Sequence, residues 1–152
     1  LAALRERLAG QLVGPAARRW RTIRPAEALA NHGFHVFAVY PWAGLLGVHH
    51  GTALSVLDSC RVRWGTVVGV DGDRARVRSR PLTWDGHRLA LGTERVESVR
   101  WATGDAAPDR PPRTGEVVSC HWDWVCDRLT PAQVAELAAR TDHQLRAVPA
   151  PG

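Results

Sequence analysis

Leucines at positions 1, 4, 8 and 12 recur at three- and four-residue spacing among arginine and glutamate, so the chain opens on an amphipathic helix ending near Gly14 and Pro15. Ala26 to Asn31 predicts a second short helix, opening at Pro25 and stopping at Gly33. From Phe34 to Leu46 the pattern turns strongly apolar and aromatic, interrupted at Pro41, as in a buried segment joining two parts. Gly47 to Thr52 reads as a loop.

The middle of the chain changes period. Val62, Trp64, Thr66, Val68 and Val70 alternate, Asp71-Gly72-Asp73 turns the chain, and Ala75, Val77 and Ser79 alternate with arginines. That is a β-hairpin with its basic side chains on the solvent face. A second hairpin is expected from Leu82 to Trp84 and Arg88 to Leu91, around Asp85-Gly86. A further strand is expected over Arg95 to Trp101, a loop over the Pro- and Asp-rich Gly104 to Thr114, and a last strand over Glu116 to Trp122. The C-terminal helix is the best marked. Thr130 is its N-cap, Pro131 its first residue and Gln133 the reciprocal partner of a capping box. Val134, Leu137, Ala138, Thr141 and Leu145 form its apolar face, and Pro149 marks its end.

Five or more short strands followed by a helix make an α+β fold, and so small a sheet must curl into a barrel or lie on the helix to hide its apolar side. The expected architecture is a small β-barrel of about five strands with a C-terminal helix, preceded by an N-terminal helical segment. The expected division is a helical extension over residues 1–55 and the barrel with its helix over 56–148. No internal repeat is visible.

Composition narrows the function classes. At 152 residues the chain is one domain, or a small domain with an extension, and buries roughly 70% of its unfolded surface without needing a disulfide or metal to fold. Hydrophobic residues at 45% and charged residues at 23% exclude a largely disordered protein. No apolar run approaches the ~20 residues that cross a bilayer, and the charged first residues are unlike a secretory leader. The absence of methionine reads as a piece of a longer protein. All 20 basic residues are arginine and they are scattered, so the net charge of +5 is weak evidence for nucleic acid. Three cysteines cannot all pair within one chain, which fits a reducing cytoplasm with a thiol left free.

Two residues carry the candidate chemistry. Cys60 stands at the entrance to the first strand, and His121 lies in the last. The outer strands of a small barrel become neighbours when the sheet closes, since closure removes its edges. A thiolate and an imidazole brought together in that way form a two-ligand site for a soft or borderline metal such as iron, with most of its coordination sphere left open. The plainer reading makes Cys60 a small buried hydrophobe and His121 a hydrogen-bonded strand residue. The residues alone leave both readings open.

Cys120 and Cys126 flank His121 without the short spacing of a zinc knuckle, and alternation puts Cys120 in the core. His32, His35, His49 and His50 are further possible ligands, or ordinary loop and surface residues. Trp122 and Trp124, two apart, would share a strand face, and with Trp64 they are the candidate partner-binding aromatics. Asp123 is a candidate to orient the His121 ring, although a residue two along a strand ordinarily shares its face rather than meeting its edge. No Ser-His-Asp order, phosphate-cradling glycine loop or HExxH pattern occurs, so nothing points to an enzyme.

Cys60, Gly65, Val67, Val68 and the turn Asp71-Gly72-Asp73 stand in an order that resembles the opening block of the HypC/HupF family of [NiFe]-hydrogenase maturation chaperones. Gly115-Glu116-Val117-Val118-Ser119-Cys120-His121 is similar to that family's closing block, and the helix from Thr130 follows at the family's spacing. The resemblance covers roughly Cys60 to Leu145. It implies an OB-like barrel that holds an Fe(CN)2CO fragment with a HypD-like partner and passes it to the hydrogenase large-subunit precursor. Cys60 would correspond to the family's essential cysteine and His121 to its histidine. Cys60 is internal here, whereas the family's cysteine becomes the N-terminus, and Trp64 stands where the family has proline. The run Asn31-His32-Gly33-Phe34-His35 through Pro41-Trp42 resembles an uncharacterised family found near hydrogenase genes. Two other readings compete: an OB-type single-stranded nucleic-acid binder stacking bases on tryptophans, and a metal-free protein–protein adaptor.

Overall fold

A computed structural model describes residues 32–39, 41–102 and 110–148. The helices expected over Leu1 to Leu12 and Ala26 to Asn31 lie outside the described residues. Helix α1 (His32–Phe34) runs into a π-helical turn at His35–Val39, and a 3-10 turn follows at Pro41–Leu45. Helical backbone therefore continues through Gly33, where the sequence predicts a stop. The apolar stretch is buried as expected, with Val36, Phe37, Ala43 and Leu46 almost inaccessible.

The loop expected over Gly47 to Thr52 gives way at His50 to helix α2 (His50–Cys60), which the sequence reading did not contain. Its start has no side-chain cap, and Gly51 and Thr52 are poor helix formers. Packing supplies what local signals lack. Ala53 and Leu57, four apart, face one core with Val36, Phe37, Leu46, Leu82 and Leu89. Asp58 ties the helix to the second hairpin, accepting from the Leu82 N–H at 2.9 Å and from Arg61 Nε at 3.0 Å. The division expected between residues 55 and 56 falls inside α2, and this first core is shared by the N-terminal segment and the second hairpin.

The second core lies inside a five-stranded sheet made of β1 (Arg63–Asp71), β2 (Arg74–Ser79), β5 (Arg95–Arg100), β6 (Val117–His121) and β7 (Trp124–Arg128). Strands pair in the order β1-β2-β5-β7-β6, and β6 returns to β1 with Arg63 opposite Cys120. The β5–β7 contact is a single parallel pair, Arg100 opposite Trp124. Val67, Ala75, Val77, Val99, Val118 and Cys120 fill the interior. Strands β3 (Leu82–Trp84) and β4 (Leu89–Leu91) form the separate hairpin that covers α2. Helix α3 (Pro131–Ala147) carries the expected capping box, with Thr130 Oγ1 accepting from the Gln133 N–H and Gln133 Oε1 accepting from the Thr130 N–H. The α+β class, with a five-stranded sheet and a C-terminal helix, is thus what the structure has.

Strand β7 is the second element missing from the sequence reading, which ends the sheet at Trp122. Trp122 instead opens a two-residue turn with φ of 53°, between the paired His121 and Trp124. Left-handed backbone at a tryptophan carries no sequence signature, since such turns ordinarily use glycine or asparagine. Gly65 has its own steric reason. A Cβ there would sit 2.5 Å from the Arg78 carbonyl oxygen and 2.6 Å from Val77 Cγ1.

One buried ion pair ties the strands together. Arg63 is only 6% exposed, and its Nε and Nη2 donate to the two carboxylate oxygens of Glu97 at 2.8 and 2.7 Å. The Ser79 hydroxyl donates to the same carboxylate at 2.6 Å. Burial alone would raise the Glu97 carboxyl, but hydrogen bonds from Arg63 and Ser79 outweigh it and hold the group below its ordinary value. A carboxylate depressed in the fold stabilises it above the unfolded pKa, and that contribution is lost as pH falls through the folded value. Glu97→Gln should therefore destabilise the protein by about 3 kcal/mol at neutral pH. The difference from wild type should narrow below the ordinary carboxyl value of 4.5. Denaturant melts at several pH values check this; a difference constant from neutral to strongly acid pH would contradict it. Gly65→Ala should also destabilise, because backbone rather than a movable side chain blocks the added methyl.

Candidate metal centre

Three elements far apart in sequence meet at one rim of the sheet. Cys60 ends α2, His121 ends β6, and His32 begins α1. The turn carrying His121 is fastened on both sides. Its Trp122 N–H donates to the Ser59 carbonyl at 2.8 Å, and its Trp122 carbonyl accepts from Arg63 Nη2 at 2.6 Å. The first bond joins β6 to the end of α2, so His121 and Cys60 are fixed side by side. The juxtaposition expected from ring closure is present, although β6 is the penultimate strand.

His32 completes the group. Its Nε2–H donates to the Cys60 carbonyl at 2.8 Å, and the same nitrogen lies 3.9 Å from Cys60 Sγ. The His32 and His121 rings meet edge to face, with centroids 5.0 Å apart. The donor atoms of His32, Cys60 and His121 all lie within 4.8 Å of one another. His121 Nε2 is buried and has no hydrogen-bond partner, an arrangement that costs free energy while that nitrogen stays unpaired.

Electrostatics set the protonation states. Burial lowers the His121 pKa, His32 and Arg63 lower it further, and a backbone hydrogen bond to Cys60 opposes them without prevailing. The lowered pKa favours the neutral ring, the form that binds metals. Burial raises the Cys60 thiol, so a cation bound there must displace its proton. On the sulfur side, a cavity of about 360 Å³ is lined by Val36, Trp42, Val56, Leu57, Cys60 and Trp122. Trp122, 47% exposed, forms its outer lip.

The remaining candidates fall elsewhere. Cys120 is fully buried in the sheet core, as alternation required, and burial pushes its thiol up to about 12. Cys126 is exposed, and His35, His49 and His50 are exposed and outside the cluster. Asp123 pairs with Arg100 at 3.4 Å and does not orient His121. Trp122 and Trp124 do not share a strand face, because Trp122 sits in the turn while the Arg100 guanidinium lies 5.9 Å over the Trp124 ring. Trp64 lines a shallow groove with Arg78, Glu94 and Val134. The sequence names His32 among four histidines but offers nothing to single it out, since it stands 28 residues from Cys60.

The model of a family of unknown function, DUF6390, matches residues 1–151. The chain belongs to this family. No match was found among curated proteins or among solved structures. The DUF6390 match spans the segment bearing His32 as well as the part bearing Cys60 and His121, so all three donors lie within it. Among the described residues no helix of this DUF6390 member is long and apolar enough to cross a membrane.

Thiol chemistry should follow these environments. With a neutral alkylating reagent Cys126 should react fastest and half-exposed Cys60 more slowly, while Cys120 should stay unmodified until the protein unfolds. Peptide mass spectrometry after timed alkylation reads the order, and native labelling of Cys120 would contradict it.

Proposed function

We propose that this chain is a non-catalytic accessory module of [NiFe]-hydrogenase maturation. It holds or docks an iron–cyanide–carbonyl fragment between a HypD-like protein and the hydrogenase large-subunit precursor, in the cytoplasm. The observation that carries this reading is the convergence of Cys60 and His121 at one accessible rim. Those are the two donors that the HypC/HupF resemblance selects, and in this reading the ring of five strands is an OB-like barrel. A thiolate and a neutral imidazole suit iron, and two protein donors leave the rest of its coordination sphere to the ligands it carries. The apolar cavity beside the sulfur would keep water from one side of such cargo. Half-exposed Trp122 and the neighbouring rim offer the docking surface.

The placement of the tryptophans argues against the nucleic-acid alternative. Stacking platforms need aromatic faces aligned along one groove. Trp122 lies in a turn, Trp124 under Arg100 and Trp64 near Val134 of the C-terminal helix.

Anaerobic co-purification with a HypD-like partner should recover iron with infrared bands of bound cyanide and carbonyl. Cys60→Ala should lose both the iron and hydrogenase maturation while remaining folded. Fully active hydrogenase in a Cys60→Ala strain would overturn the cargo role, and partner binding without iron would favour a metal-free adaptor.

A further inference from the structure

We infer that His32 is a third protein ligand, and that His32, Cys60 and His121 together form a three-donor site for a first-row divalent cation. The inference rests on the reading above for Cys60 and His121, and adds a donor from outside the segment in which those two were recognised. In a tetrahedral site with a metal–sulfur distance of about 2.3 Å and metal–nitrogen distances of about 2.0–2.1 Å, sulfur and nitrogen donors stand about 3.6 Å apart. The Cys60 Sγ to His32 Nε2 separation of 3.9 Å is within a few tenths of that figure. All three donor atoms fall within 4.8 Å, so the cluster needs only a small contraction to surround one ion. The bond from His32 to the Cys60 carbonyl already holds the imidazole beside the sulfur. One ring nitrogen of His121 lies in this cluster, and the buried Nε2 of the same ring has no hydrogen-bond partner in the protein.

On binding, the Cys60 thiol proton leaves to solvent and the His32 proton moves from Nε2 to Nδ1. The bond to the Cys60 carbonyl is exchanged for a bond to the metal. Two imidazoles and one thiolate form one face of the coordination sphere, and the exposed side of His32 leaves a further position for an exogenous ligand or a partner's donor. Because each donor belongs to a different element, the ion also fastens the segment beginning at His32 to the sheet.

The test is an anaerobic titration of the metal-free full chain with Co2+ near neutral pH, followed by absorption spectroscopy. One Co2+ should bind per chain, with a thiolate-to-cobalt charge-transfer band and the intense visible bands of low-coordinate cobalt. His32→Gln should weaken binding by about tenfold or more and lower the visible intensity while keeping the charge-transfer band. His32→Cys should restore the affinity and increase that band. Because the His32 side chain is exposed, both variants should fold, which circular dichroism checks. Unchanged affinity and visible spectrum in His32→Gln would overturn this inference and leave the Cys60–His121 pair standing. A Cys60→Ser protein that keeps the charge-transfer band would overturn the pair itself, and the proposed function with it.

Discussion

The guanidinium of Arg63 is the constraint on which the arrangement depends. A buried cation is tolerable only when its charge is paired, and here Nε and Nη2 of one side chain engage Glu97 on β5 and the Trp122 carbonyl in the β6–β7 turn, while its buried Nη1 has no hydrogen-bond partner among the described residues. Glu97 in turn accepts from Ser79 on β2. One charge pair therefore couples two strands and a turn to the strand that carries it. Because that turn follows His121, the site's imidazole is set by an interaction inside the sheet as much as by its own contacts.

The second organising fact is that the N-terminal segment and the β3–β4 hairpin complete each other. Neither Val36 and Phe37 nor Leu82 and Leu89 face the sheet interior; they meet around Ala53 and Leu57 of α2. A three-residue-stranded hairpin is too small to stand alone in water, and a short uncapped helix is marginal by itself. Joined, they make a core that ends at Cys60, where the helix delivers its sulfur to the rim.

What was legible beforehand follows from which residues leave local signatures. The Asp71-Gly72-Asp73 turn and the Thr130-Pro131 helix start are written in a few adjacent residues, and both are found where the pattern put them. The Cys60–His121 meeting was also readable, because ring closure makes outer strands neighbours whatever their distance in sequence. Helix α2 was not, since its start lacks a cap and its stability comes from packing with Val36, Phe37, Leu46, Leu82 and Leu89. Strand β7 stayed hidden because its turn is made by tryptophan in a conformation usually left to glycine. His32 is a harder case. Its place beside Cys60 depends on where a separate segment docks, and no spacing rule encodes that.

The joint between β5 and β7 sets how this ring can breathe. Where other neighbours share several residue pairs, these two meet at Arg100 and Trp124, helped by the Arg100 N–H to the Asp123 carbonyl. The least protected seam of a closed sheet parts first. Here that seam abuts the turn that supports His121, so a protein pressing on this edge would loosen the imidazole's footing while leaving the hydrocarbon interior intact. In the proposed function, release of cargo at that rim would then need no unfolding of the sheet.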